Sequence, residues 1–221
     1  MFFRLLTIII VSLLAASSCL AQGIFLDKGE SAPLIDFGFA TGKDTYLFGL
    51  SVGYSAGGVF DFGGGGLYGG DGSTSVAGGS QFAAIHFLRF VDPQGSRFSL
   101  SLMQSLVSVS SLGNSYYGAT TTTLSVGGRA TLQFGRSSTA VAPFIGYARA
   151  GLAAEGQQDM DVYEYGLVIV SFARRSVFAF TPAVSTGGGT TSFSISLTLN
   201  MLGTGGASSS GGKWKDGGSF E

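Results

Sequence analysis

Ser192-Phe193-Ser194-Ile195-Ser196-Leu197-Thr198-Leu199-Asn200-Met201-Leu202 places Phe193, Ile195, Leu197, Leu199 and Met201 on one parity and only hydroxyl and amide side chains on the other. Side chains on a strand alternate between its faces, so the segment reads as a strand with one apolar face and one wet face. A half-buried strand of a soluble sandwich reads the same way, so recurrence upstream decides. Tyr46, Phe48, Leu50, Val52 and Tyr54 alternate with Thr45, Leu47, Gly49, Ser51 and Gly53. Leu124, Val126, Gly128, Ala130, Leu132 and Phe134 alternate with Ser125, Gly127, Arg129, Thr131 and Gln133. On a lipid face Arg129 would cost about 2 to 4 kcal/mol at mid-membrane, which assigns it and its wet row to an interior.

The chain opens with Arg4, an apolar run from Leu5 to Ala16 and the small-residue stretch Cys19-Leu20-Ala21. This is the layout of a secretory signal, with cleavage expected after Ala21. Ala16-Ser17-Ser18-Cys19 offers the alternative of lipidation at Cys19, although the usual Leu three places before the Cys is missing. Cys19 is the only cysteine, so a chain cut after Ala21 has no disulfide framework. Charged residues make up 11%, half the usual quarter, while 37 Gly and 13% aromatics are high. A formal charge of −1 without a basic patch argues against nucleic acid. Beyond the signal no apolar stretch approaches the roughly 20 residues of a spanning helix, so a membrane crossing here uses strands.

Helical spacing is nearly absent. Period-two segments predict ten strands, at 31–40, 45–54, 59–68, 80–90, 97–109, 120–134, 140–152, 161–172, 177–184 and 190–202, with eight as the alternative count. The links at 55–58, 91–96, 135–139 and 173–176 are tight; those at 69–79, 110–119, 153–160 and 185–189 are mostly longer. Short turns on one rim and longer loops on the other fit an up-and-down transmembrane β-barrel. The expected layout is a signal at 1–21, an N-terminal periplasmic segment at 22–30, a barrel at 31–202 and a tail at 203–221. The tail is Gly/Ser-rich, carries Trp214 between Lys213 and Lys215, and has too little apolar content to fold.

In this architecture residues 31–202 resemble the small outer-membrane β-barrels of Gram-negative bacteria, the broad OmpA-barrel-like and OmpW-like group. The likeness rests on the signal, the alternation and the turn asymmetry rather than on a motif. It implies an outer-membrane location, contact with membrane lipid, insertion by the barrel-assembly machinery and a monomeric state. One departure is the end of the last strand, Met201-Leu202, where such barrels commonly finish on an aromatic residue.

Sites of chemistry are sparse. His86 is the only histidine, and its parity mates Phe82, Ala84, Leu88 and Phe90 are apolar; no acidic pair or deacylase-type motif accompanies it, so it reads as structural. The clusters Gly63-Gly64-Gly65-Gly66 and Gly187-Gly188-Gly189 lack the helix and Lys of a phosphate loop and read as bends and loops. Glu155, Asp159 and Asp161 match no calcium-loop spacing. Asp36, Asp61, Arg89, Arg129, Arg149 and Glu164 fall inside strands and form an expected interior charge network, with Arg149 included despite its apolar mates Val141, Ile145 and Tyr147. No catalytic, cofactor-binding or metal-ligating residue is assigned.

The expected function is therefore non-enzymatic: envelope support, or presentation of long loops such as Asn114-Ser115-Tyr116-Tyr117 to a surface ligand. Three alternatives stay open at this point: a narrow porin-like pore or conduit for small hydrophobic molecules, an envelope-lipid enzyme built on His86, and a soluble secreted β-sandwich.

Overall fold

Alternation becomes ten antiparallel strands: β1 (Ala32–Gly42), β2 (Thr45–Ala56), β3 (Phe60–Gly70), β4 (Ser75–Val91), β5 (Arg97–Leu112), β6 (Thr120–Gln133), β7 (Thr139–Leu152), β8 (Met160–Ala173), β9 (Ser176–Gly187) and β10 (Thr190–Met201). Each strand pairs with its sequence neighbours and β10 pairs with β1, closing one barrel. The eight-strand count and the two-sheet sandwich are thereby set aside. This computed structural model describes residues 26, 29–91, 97–112, 120–134, 138–152, 159–173 and 175–202. The signal with Cys19, the tail with Trp214, and the loop residues Asn114 to Tyr117 and Glu155 lie outside the described residues.

Following paired residues once around, from Ala32 through Ser55, Asp61, Ala84 and onward to Gly187 and Thr190, returns to β1 beside its far end. That stagger, about twelve residues over ten strands, tilts each strand roughly 40° from the axis. At about 3.4 Å per residue an eleven-residue strand so tilted rises roughly 28 Å, enough for the ~25 Å apolar band of a barrel in a membrane.

The opening stretch divides as its parity predicts. Ser192, Ser194, Ser196, Thr198 and Asn200 are buried in the interior, while Phe193, Leu197 and Met201 are exposed on the outer wall, with Ile195 and Leu199 half-buried on the same face. Leu50, Val52, Ile85, Leu102 and Ile145 are likewise exposed outward. Aromatic rings gather toward both ends of the wall. Tyr147 and Tyr163 lie 5.3 Å apart near the β7–β8 link, with the Tyr147 hydroxyl donating to Asp161 Oδ1 at 2.8 Å. Phe60 stacks on Phe62 at the other end, 5.5 Å between centroids.

Two links differ from expectation. β3 runs to Gly70 and β4 starts at Ser75, so the long loop expected at 69–79 is the turn 71–74. Gly78 and Gly79 read locally as loop, yet each has a ladder partner on both sides, in β3 and in β5, and those backbone bonds outweigh poor strand propensity. In the turn, Asp71 Oδ1 accepts the Ser73 hydroxyl at 2.8 Å and the Ser73 and Thr74 amides at 2.9 and 2.7 Å. The Ser73 hydroxyl bond leads in holding the Asp71 carboxyl below its ordinary range. β9 likewise runs to Gly187, leaving a two-residue turn at Gly188 and Gly189 with φ of 55° and 74°. Both residues of a tight hairpin of this hand need positive φ, which glycine adopts without a Cβ clash. The longer links on that rim are 113–119 and 153–159.

Candidate functional site: the charged interior

Interior side chains form three levels. At the rim holding the chain ends, where β7 and β9 begin and β8 ends, Ala140, Ala142, Val168, Val170, Val177 and Ala179 make an apolar cluster. At the opposite rim Ala40, Leu47, Leu67, Val76 and Val107 make another. The buried charges Asp36, Asp61, Arg129 and Glu164 lie in the level between, along with the apolar pair Leu34 and Phe82. A buried charge costs several kcal/mol unless neighbours compensate it, so the middle level constrains the barrel most.

On one wall β3, β4 and β5 bring Asp61, His86 and Ser101 into a chain. His86 Nε2 lies 3.0 Å from Asp61 Oδ2, and His86 Nδ1 lies 2.6 Å from the Ser101 hydroxyl. Asp61 is 0% exposed and its two partners are buried too. The β4 register shifts between His86 and Leu88, a bulge that breaks the parity linking His86 to Leu88 and Phe90. The apolar mates Phe82 and Ala84 are themselves buried in the interior. An apolar row in the sequence therefore did not mark the outer face here.

Arg129 on β6 stands beside Ser101 in the ladder, and its guanidinium carbon sits 3.5 Å from the centroid of the Phe144 ring. Phe144 lies against Gly166, where a Cβ would come within 2.8 Å of two ring carbons. Glycine on β8 thus sets the ring that receives the cation. Gly146 pairs with Arg129 on one side and Glu164 on the other, so no side chain separates these two interior charges along the ladder. Arg129 and Glu164 are each 3% exposed. Where β1 meets β10, Asp36 Oδ1 accepts the Thr198 hydroxyl at 2.5 Å, and nearby Asn200 Nδ2 donates to the Ser55 hydroxyl at 3.5 Å.

Of the six residues expected in an interior network, Asp36, Asp61, Arg129 and Glu164 are buried. Arg149 is a correction. It faces outward with Val141, Ile145 and Tyr147, and its guanidinium pairs with Asp159 at 3.1 Å, the two side chains being 62% and 53% exposed. β7 keeps strict parity, and Arg149 near the strand's end reaches the polar rim without turning inward. The side chain of Arg89 lies outside what the structure describes. Ser101 and Phe144 were missed. The alternation of Ser99 and Ser101 with Phe98, Leu100 and Leu102 carried the signal for Ser101; nothing local distinguished Phe144.

Asp61, His86 and Ser101 have the residue types of a hydrolase triad, but a working triad also needs a position about 3 Å from both nucleophile and oxyanion donors where a substrate carbonyl can sit. Here the hydroxyl meets Nδ1, the carboxylate meets Nε2, and all three are buried inside the wall. What the geometry does provide is a hydrogen-bonded brace across three strands.

No protein-family model and no curated protein matches the chain. Among solved structures it is similar to the translocator domain of the autotransporter NalP from Neisseria meningitidis, at 10% identity and a TM-score of 0.47, covering 86% of this chain and 95% of that one. The β domain of the Bordetella autotransporter BrkA gives 10% identity and a TM-score of 0.46, covering 80% and 100%. The N-terminal β-barrel domain of Pseudomonas aeruginosa OprF gives 14% and 0.36, covering 78% and 98%. Likenesses this distant carry no functional weight, and the fold stands on the chain's own ten-strand closure.

Proposed function

We propose that this chain is a non-enzymatic outer-membrane β-barrel with a closed interior, serving the envelope structurally or through its loops. The carrying observation is the pairing of two exposures. Interior Asp61, Arg129 and Glu164 are sealed from solvent, while outward apolar side chains stand open, Ile145 at 64%. A water-filled pore would wet the first set, and a soluble protein would have to cover the second. The export signal, the strand rise and the aromatic ends of the wall support the same location. Surface contact falls to the rim bearing links 113–119 and 153–159, opposite the chain ends.

Planar-bilayer recording tests the closed interior. The expected result is no reproducible single-channel steps; steps whose size changes in Arg129→Ala would overturn it. Extraction tests the location: the protein should stay with the membrane fraction until detergent is added and should show heat-modifiable gel mobility. Release by salt alone would refute the membrane reading. Unchanged envelope lipid in cells lacking the protein is expected if Asp61, His86 and Ser101 only brace the wall.

A further inference from the structure

We propose that Leu26, from the segment ahead of β1, is a stopper seated in the end of the barrel that carries the chain termini. Leu26 is 0% exposed and belongs to the apolar cluster of Ala140, Ala142, Val168, Val170 and Val177, interior residues of β7, β8 and β9. Three residues later the chain is held elsewhere. The Gly29 amide donates to the Gly57 carbonyl at 3.0 Å, and the Gly57 amide donates to the Ser31 hydroxyl at 2.8 Å. Gly57 lies in the link between β2 and β3, and β3 is five strands from β8 in a ten-strand barrel. The segment is thus bonded at the β2–β3 link while its leucine sits in a cluster that runs from Ala32 on β1 to the alanines and valines of β7, β8 and β9.

The seat suits such an occupant. Alanine at 140, 142 and 179 and valine at 168, 170 and 177 present short apolar side chains and no hydrogen-bonding group, so they accept a branched aliphatic group and exclude water. Leu202, just after β10, packs on the same cluster, and its amide donates to the Arg175 carbonyl at 2.9 Å. Both ends of the barrel chain therefore converge there. The seat lies on the path from this rim to the middle level, so a filled seat keeps water from the Arg129 and Phe144 contact. This inference rests on the closed barrel and not on the membrane location.

Thiol chemistry tests it, because the only cysteine precedes the expected cleavage site. In Leu26→Cys, alkylation by iodoacetamide of the folded, detergent-solubilised protein should be at least tenfold slower than in the urea-unfolded chain. In Ala142→Cys the thiol should be similarly protected, and adding Leu26→Ser should speed its alkylation about tenfold, whereas Leu26→Met should leave it slow. Heat-modifiable mobility confirms folding of each variant. Folded Leu26→Cys reacting at the unfolded rate would overturn the proposal; so would an Ala142→Cys thiol whose rate ignores Leu26→Ser. If Leu26→Ser does not fold, Leu26→Cys alone decides.

Discussion

The wall made by β3, β4 and β5 and the wall made by β7, β8 and β9 face each other across one interior, yet each fills it by a different kind of chemistry. The first uses directional bonds, with Asp61, His86 and Ser101 held at 3.0 and 2.6 Å. The second uses volume, with alanines, valines and Phe144 around a leucine from outside the strands. Directional contacts tolerate little change in geometry and leave an orphan when one partner goes. Apolar contacts lose roughly in proportion to the atoms removed. A closed barrel with both kinds therefore has one wall that specifies the arrangement and one that fills the remaining space.

Arg129 joins the two walls, and its loss should break the contrast most severely. Arg129→Ala removes a buried cation that only Gly146 separates from Glu164 along the ladder, and should cost about 3 to 5 kcal/mol, read as a lower urea midpoint of the folded barrel. Within the polar wall, Asp61→Ala should cost about 1 to 3 kcal/mol by orphaning His86. The double variant Asp61→Leu with His86→Leu should cost less than the sum of its singles, and strict additivity by double-mutant cycle would remove the chain from the account. In the apolar wall Val170→Ala should cost about 1 to 2 kcal/mol, with no coupling to Asp61→Ala. Arg149→Ala, on the outside, should shift the midpoint by less than about 1 kcal/mol because its pair with Asp159 is exposed. At the Asp71 turn the carboxyl is held low, so its bonds should support the folded state at neutral pH and lose that support as pH falls through the acid range. Acid titration of the folded protein by NMR should show Asp71 protonating below an ordinary aspartate.

The strand number and the inward row of β10 were legible because period-two alternation is local, visible within eleven residues. The glycine-rich edges of β3 and β4 were not, since they are strand only by virtue of neighbours distant in the chain. Interior charges at 36, 61, 129 and 164 showed as charges set within wet or mixed rows. Arg149 breaks the pattern because a charge near the rim reaches water from the outer face, so there parity rather than charge decides its side. His86 was ambiguous since a narrow barrel has apolar residues on both faces and a bulge resets the alternation just past it. Leu26 had no signal at all: a single leucine outside any periodic segment acquires its place only from the closed barrel.

The hydrogen bond from Thr198 to Asp36 joins residues 162 positions apart. Its consequence lies in the order of events during folding. Nine of the ten seams join strands adjacent in the chain, but the β1–β10 seam waits for the last strand to be synthesised and delivered. Bringing ends that distant together costs roughly 4 to 5 kcal/mol of chain entropy beyond a constant, and none of it returns before β10 docks. A chain cut after β9 should accordingly be an open sheet with two adhesive edges, captured by chaperones or lost to aggregation, rather than a smaller version of the finished barrel.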